Sequence, residues 1–102
     1  YSAKVVINSG VFGQQITGDS SQYDLIFADD NAVIEINGGT FKCATPQWTL
    51  NCKDGSHAQI IVKGGSFYQF DPSNANVGEG EIIVPDGYKV VQDGDWYTVV
   101  EE

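Results

Sequence analysis

The sequence predicts an all-β fold in which short parallel strands stack as the coils of a β-helix. One segment occurs three times, at residues 2–12, 31–41 and 57–67, and its closing phenylalanines are 29 and then 26 residues apart. Each copy joins a strand with alternating apolar residues to a glycine turn. Strand-favouring residues dominate, whereas the chain has no Met and only two Leu. We therefore expect two to three coils in a chain of 102 residues.

The first strand of each copy has apolar residues at every second position, which is the pattern of a strand with one buried face. A further alternating strand precedes it in the two later copies. The residues predicted to face inward from the repeated segment are Ala3, Val5, Ile7, Ala32, Ile34, Ile36, Ala58, Ile60 and Val62. Those predicted to face inward from the preceding strand are Tyr23, Leu25, Phe27, Trp48, Leu50 and Cys52. Equivalent residues must lie above one another to form one core, so we expect parallel pairing.

The glycine turns are predicted to form the corners of the coils. Gly accepts a positive φ without steric cost, and Asn tolerates it better than most residues. Asn side chains at stacked corners can also hydrogen-bond from coil to coil. The predicted corner residues are Asn8, Gly10, Asn37, Gly38, Gly39, Gly64 and Gly65. We expect Phe12, Phe41 and Phe67, which follow the corners, to stack and to add roughly 0.5–1.5 kcal/mol per pair beyond burial.

The C-terminal end departs from the repeat. Residues 73–80 are polar and predict a loop, and residues 81–84 predict another short strand. Residues 88–91 and 96–100 flank an Asp-Gly turn, which is a hairpin signal. Because a stack of coils must cover its last open edge, we expect this hairpin to cap it with Tyr88 and Trp96. The prediction is one domain, with coils and an exit loop at 1–80 and a final strand and hairpin cap at 81–102.

The strand-Asn-Gly-Gly-Thr-Phe pattern of residues 31–41 resembles the right-handed parallel β-helices of the pectate-lyase-like superfamily. It is also similar to small β-helical modules of gut Bacteroidales surface proteins and their phages, whose coils end in a tail like residues 87–91 and 96–100. The resemblance covers nearly the whole chain. It implies a right-handed β-helix with a hairpin cap, in an extracellular, cell-surface or virion protein. Its motifs are specific for architecture and weak for activity.

The net charge of −9 comes from 14 acidic residues against five lysines. Repulsion from phosphates argues against nucleic acid as a partner, and it disfavours an anionic membrane surface for the same reason. No segment approaches the roughly 20 apolar residues of a transmembrane helix. We therefore expect neither nucleic-acid binding nor membrane insertion, and we interpret the charge as a means of solubility.

No set of residues in the sequence predicts catalysis, a cofactor or a metal site. A polysaccharide lyase would resemble its family in clustered Asp and an Arg or Lys base, whereas this chain has no Arg and no lysine aligned with paired acids. A hydrolase needs converging carboxylates, but the outward column of Val6, Glu35 and Ile61 contains one acid. We interpret His57 as a surface residue, and the acidic runs at 29–31 and 71–76 as turns rather than Ca²⁺ ligands.

The two cysteines are interpreted as free thiols, with a disulfide as the alternative. Cys52 aligns with Phe27 at an inward position, so we expect a small buried apolar residue. Cys43 lies two residues beyond a corner phenylalanine, where the sequence does not fix its direction. A bridge between them would close only a short connector.

The outward faces carry one apolar group, formed by Val6 and Ile61 with Val33 beside them. A partly apolar sheet face often marks a protein contact. We expect homo-oligomers, with a trimer as one form, or contacts with neighbouring parts of a parent protein. Either contact would use this surface or the aromatic cap.

We expect a non-enzymatic structural or adhesive module that forms the C-terminal part of a larger cell-surface or phage virion protein, such as a fibre, head or tail protein. The chain begins inside a predicted strand, which favours a missing N-terminal part. The alternative is a carbohydrate-binding or carbohydrate-cleaving fragment of a longer β-helix enzyme. In that alternative, Tyr68, Tyr88 and Tyr97 would stack on a glycan.

Overall fold

The computed structural model describes residues 3–13, 25–53, 55–75 and 81–102. Within them the fold is all-β, with 51% of residues in strands and 7% in helix. The inward position predicted for Tyr23 and most of the predicted loop at 73–80 lie outside the described residues. The elements are β1 (Lys4–Ile7), β2 (Val11–Gly13), β3 (Ile26–Ala28), β4 (Val33–Ile36), β5 (Thr40–Lys42), a 3₁₀ helix (Pro46–Trp48), β6 (Leu50–Cys52), β7 (Gln59–Val62), β8 (Ser66–Tyr68), a 3₁₀ helix (Pro72–Asn74), β9 (Glu81–Ile83), β10 (Tyr88–Asp93) and β11 (Trp96–Glu101).

The first strand of every repeat copy lies in one parallel sheet of order β1-β4-β7-β9. Val5 pairs with Ile34, and Ile34 pairs with Ile60, so the copies align as the sequence predicts. β9 adds a fourth strand and brings Ile82 opposite Ile60. The segment after residue 80 therefore continues the sheet of the repeats before it turns into the hairpin.

The strands that follow the corners form a second sheet of order β10-β11-β8-β5-β2. β2, β5 and β8 are parallel, whereas β11 pairs antiparallel with β8 and places Tyr97 opposite Phe67. β10 and β11 form the hairpin, whose turn contains Gly94 at a φ of 60°. The hairpin thus lies beside the last parallel strand of this sheet, at the end where it was predicted.

A third sheet pairs β3 with β6 in parallel, and here the predicted alignment is wrong by one residue. Cys52 pairs with Ala28 rather than with Phe27, and Phe27 is 46% exposed while Ala28 is 1% exposed. A shift of one residue moves every side chain of a strand to the other face. The connector before β7 has six residues (53–58), whereas the connector before β4 has four (29–32). The two extra residues compensate for the shifted pairing, so that β7 still aligns with β4.

The core is deepest in the middle of the stack. Ile60 is fully buried and Ile34 is 8% exposed, whereas the equivalent Val5 is 50% exposed. Each strand covers its neighbours in the sheet, and β1 has a neighbour on one side only. The first copy therefore has the inward pattern of a core strand but lies at an open end. The buried apolar residues are Ala28, Ile34, Ile36, Phe41, Cys43, Leu50, Cys52, Ala58, Ile60, Val62, Phe67, Phe70, Ile82 and Val99.

Candidate functional site

The corner glycines of the three copies adopt one backbone conformation. Gly10, Gly39 and Gly65 have φ angles of 126°, 112° and 99°, in the region that L side chains rarely adopt. A Cβ at Gly39 would also lie 3.1 Å from the Phe41 ring. Glycine is therefore required at this position by both backbone angle and ring contact.

The residues before the second and third of these glycines, Gly38 and Gly64, meet a different constraint. A Cβ on Gly38 would collide with the carbonyl oxygen of Asn8, and a Cβ on Gly64 would collide with that of Asn37. Each contact joins equivalent corners of successive copies. Glycine at these two positions lets the backbone of one corner pack directly against that of the next.

Side chains at the corners link the copies by hydrogen bonds. Asn37 Nδ2 donates to Asn8 Oδ1 at 3.0 Å and to Glu35 Oε2 at 3.1 Å. In the third copy Lys63 replaces the asparagine, and its Nζ donates to Glu35 Oε1 at 3.2 Å. The hydrogen bond from Asn37, followed by that from Lys63, lowers the pKa of the Glu35 carboxyl from its ordinary value of 4.5. The corner is thus a small polar cluster with Glu35 at its centre.

The phenylalanines after the corners form a column of stacked rings. The centroids of Phe12 and Phe41 are 4.9 Å apart with 6° between planes, and those of Phe41 and Phe67 are 4.9 Å apart with 11° between planes. Phe70 closes the column at 6.2 Å from Phe67 with a tilted ring. Phe41 and Phe67 are fully buried, whereas Phe12 lies half-buried at the open end.

The predicted contact surface lies on the outer face of the first sheet. Val6 is 46% exposed, while Val33 and Ile61 are half-buried. Val6 and Ile61 stand on either side of Glu35 in the sheet, because Val6 pairs with Glu35 and Glu35 pairs with Ile61. The surface is therefore an apolar face interrupted by one ion-paired carboxylate.

The three tyrosines considered for sugar stacking belong to the hairpin end of the molecule. The Tyr68 ring lies edge-on to Trp96 at 5.4 Å, and Lys42 Nζ lies 4.5 Å from its centroid. Tyr88 packs against the core, and Tyr97 is half-buried in β11. Tyr68 and Tyr88 thus take part in packing near the hairpin.

Chemistry-bearing residues do not converge in the described residues. No group of three or more His, Cys, Asp or Glu side chains there could hold a metal ion. Asp29 Oδ1 accepts from Asp30 N at 2.6 Å, and Asp71 Oδ1 accepts from Ser73 N at 2.9 Å, so both carboxylates make local hydrogen bonds to the backbone. His57 is exposed at the head of β7.

Both cysteines are buried, and they are not joined by a disulfide. Cys52 Sγ donates to the carbonyl oxygen of Glu81 at 3.4 Å, and Cys43 Sγ lies 3.7 Å from Thr45 Oγ1. Burial raises the pKa of the Cys52 thiol, although the backbone hydrogen bonds oppose this effect. Burial therefore favours the protonated thiol of Cys52 over the thiolate.

A cavity of about 330 Å³ beside Trp48 is a site that the sequence reasoning missed. It lies between β6 and the segment that leaves β8, and its lining residues are Gln47, Trp48, Leu50, Asn51, Gln69, Phe70, Asp71, Asn74 and Ala75. The indole Nε1 of Trp48 is buried and has no hydrogen-bond partner in the described part of the chain. An aromatic residue flanked by Gln and Asn was visible in the sequence, but Trp48 was predicted to be a core residue.

Comparison with protein families, curated proteins and solved structures finds no match. The geometry of the chain itself therefore carries every functional argument. In the described ranges, no helix is long and apolar enough to cross a membrane.

Proposed function

We propose that this chain is a non-enzymatic structural module: a short right-handed parallel β-helix of two to three coils with a C-terminal hairpin cap. The observation that carries the proposal is the column of Phe12, Phe41 and Phe67, whose rings stack at 4.9 Å in successive copies. Such a column requires that equivalent residues lie directly above one another, which is the packing rule of a solenoid. Right-handedness follows from the strong preference of parallel crossover connections.

The hairpin supports a capping role in this proposal. β11 pairs antiparallel with β8, and Val99 N donates to the carbonyl oxygen of Gly65 at 2.9 Å. The hairpin thereby covers the edge of the last repeat strand in the second sheet, where an open edge would pair with other chains. Val99 is buried, so the cap also adds to the core.

The module is proposed to act within a larger extracellular, cell-surface or phage virion protein, where rigid strands hold loops for adhesion. Immunogold labelling of intact cells and of purified virions, with an antibody raised against the folded chain, tests this location. Labelling of an outer surface is expected. Labelling confined to the cytoplasm would contradict the proposal.

A structural role also requires that the chain itself does not cleave polysaccharides. The purified chain, incubated with a panel of neutral and acidic polysaccharides, is expected to release no reducing ends and no unsaturated products. Release that is abolished by a point substitution, but not by a mock purification, would replace the structural role with the alternative of a carbohydrate-cleaving fragment.

Association of identical chains is proposed to use the surface of Val6, Val33 and Ile61. Light scattering during size-exclusion chromatography is expected to show an oligomer that Val6→Asp dissociates. Val91→Asp is the matched control, because Val91 is equally exposed (45% against 46%) but lies on the hairpin. A wild-type monomer at high concentration, or equal dissociation by both variants, would exclude this surface as the interface.

A further inference from the structure

The cavity beside Trp48 lies next to β6 in the third sheet. The first two sheets continue past the repeats into β9 and β11, whereas β6 is the last described strand of the third sheet. The wall opposite β6 is formed by the segment that leaves β8, including Phe70 and Asp71. The volume of about 330 Å³ lies at the small end of the range for small-molecule sites. The fold thus leaves a cavity of ligand size beside β6.

Among the described residues, the polar lining of the cavity consists mainly of the side-chain amides of Gln47, Asn51, Gln69 and Asn74. Each amide can both donate and accept hydrogen bonds, and that of Gln69 also donates from Nε2 to Asp95 Oδ1 at 3.4 Å. A sugar ring presents adjacent hydroxyls, each of which also donates and accepts. Amide side chains can pair with such hydroxyls in both ways, whereas an ionised carboxylate can only accept and a Lys or Arg side chain can only donate.

Trp48 adds an apolar wall to the cavity. Its indole Nε1 is itself buried, so a ligand in the cavity would meet the carbon atoms of the ring rather than the N–H. Leu50, Phe70 and Ala75 supply further apolar surface for the carbon face of a ring. One aromatic residue with surrounding amides therefore fits an amphipathic ligand.

The charge of the site selects against acidic ligands. The described residues of the lining include no Lys, Arg or His and one carboxylate, Asp71, whose Oδ1 accepts from Ser73 N and Oγ at 2.9 and 2.6 Å. The chain as a whole carries −9. A uronate or a phosphate would be repelled by these negative charges and would find no cationic partner among the described lining residues.

We propose that this cavity binds one ring of a neutral sugar, with Trp48 as the aromatic wall and the surrounding amides as hydrogen-bond partners. This binding goes beyond the proposed structural role and needs no catalytic group. It would give a rigid surface module a recognition point for a glycan. Trp48 and the amides of the site lie outside the buried core, so binding can fail while the scaffold remains folded.

The experiment follows the indole N–H signals of the ¹⁵N-labelled full chain. The chain has two tryptophans, Trp48 and Trp96, and Trp48→Phe assigns the two signals. Methyl glycosides of glucose, galactose, mannose and N-acetylglucosamine are titrated separately, with glucuronate as the acidic comparison. At least one neutral sugar is expected to shift the Trp48 signal with saturation near millimolar concentration, which is about the affinity expected for a single ring. The Trp96 signal is expected to stay in place.

Two variants separate binding from general perturbation. Gln47→Ala removes an exposed lining amide and is expected to weaken binding roughly threefold to tenfold, the factor of one hydrogen bond. Gln92→Ala, an exposed amide of the hairpin, is expected to leave the affinity unchanged. The proposal is overturned if no neutral sugar shifts the Trp48 signal at about 50 mM, if both indoles shift together, or if only glucuronate binds.

Discussion

The carbonyl oxygen of Asn8 occupies the space that a Cβ on Gly38 would need. The two residues lie in successive copies of the repeat, at equivalent corners, and the same contact recurs between Asn37 and Gly64. A side chain is thus excluded by the neighbouring copy rather than by the residue's own backbone angle. Ser9 stands at the equivalent position of the first copy.

Substitution at the corner is expected to show this dependence on a neighbour. Gly38→Ala and Gly64→Ala should each lower the free energy of unfolding by about 1–3 kcal/mol, since the added methyl overpacks against backbone that cannot move aside. The thermal midpoint should fall by roughly 4–8 °C for each kcal/mol lost. Ser9→Gly is the control and should change the stability by less than about 1 kcal/mol. Equal effects at positions 9, 38 and 64 would contradict the stacking contact.

The phenylalanine column predicts a gradient of stability effects. Phe41 is fully buried between two rings, so Phe41→Ala should cost about 3–5 kcal/mol. Phe12→Ala should cost less, because Phe12 is half-buried and has one ring neighbour in the column. Urea unfolding measures both, and Phe41→Leu provides a milder change if the alanine variant does not fold. An equal or larger loss of unfolding free energy for Phe12→Ala would show that burial within the column does not determine how much each ring stabilises the fold.

The corner carboxylate predicts a dependence of stability on pH. The Asn37 and Lys63 hydrogen bonds lower the pKa of Glu35 in the folded chain below 4.5. A depressed pKa means that the stabilisation is fully present above the unfolded pKa and is lost as the pH falls through the folded pKa. Wild type should therefore be more stable than Glu35→Gln near neutral pH, and the difference should vanish at lower pH. Thermal melts from pH 7 to pH 3 measure it.

The matched control for this pH series is Glu101→Gln, in the exposed end of β11. The difference in thermal midpoint between wild type and Glu101→Gln should change less from pH 7 to pH 3 than the difference between wild type and Glu35→Gln. A gap between wild type and Glu35→Gln that stayed constant with pH would mean that the carboxylate contributes through packing and not through its charge.

The buried cysteines predict a chain that resists thiol reagents. Burial raises the pKa of Cys52, and its side chain is 2% exposed, so neither thiolate nor access is available in the folded state. Iodoacetamide at pH 7.5 should label neither Cys43 nor Cys52 until denaturant is added, as measured by mass spectrometry. Rapid labelling of the folded chain, or a mass that reveals a disulfide, would show that this part of the core is open or differently arranged.

The first sheet was predictable because its strands alternate, whereas of the second sheet only the hairpin and the stacked phenylalanines were predicted. In Ala58, Ile60 and Val62 the apolar residues recur at every second position, so only one face can be buried. The third sheet was not predictable in the same way, because residues 25–28 are all apolar and either face could turn inward. The larger Phe27 was assigned inward, but Ala28 fills that place beside Cys52.

The cavity beside Trp48 could not be derived from the repeat. Its walls come from β6 and from the exit segment, which diverges from the repeat after Phe67. A repeat pattern shows only what successive copies have in common. The cavity instead lies between β6 of the third sheet and a segment that occurs once in the chain. The tryptophan itself was assigned to a strand, but it lies in the 3₁₀ helix Pro46–Trp48 that precedes β6.

Ser9 makes the first corner different from the two corners that follow it, which have Gly38 and Gly64 at the same position. Gly38 and Gly64 accept the backbone of the preceding corner because they lack a side chain. A further copy of the repeat, placed before the first copy in the same conformation, would bring the carbonyl oxygen of its corner residue against the Cβ of Ser9. Adding such a copy to the stack therefore requires Ser9→Gly. Any other neighbour would have to contact this corner in a different geometry. One hydroxymethyl side chain thus distinguishes the first copy of the repeat from the two that follow it.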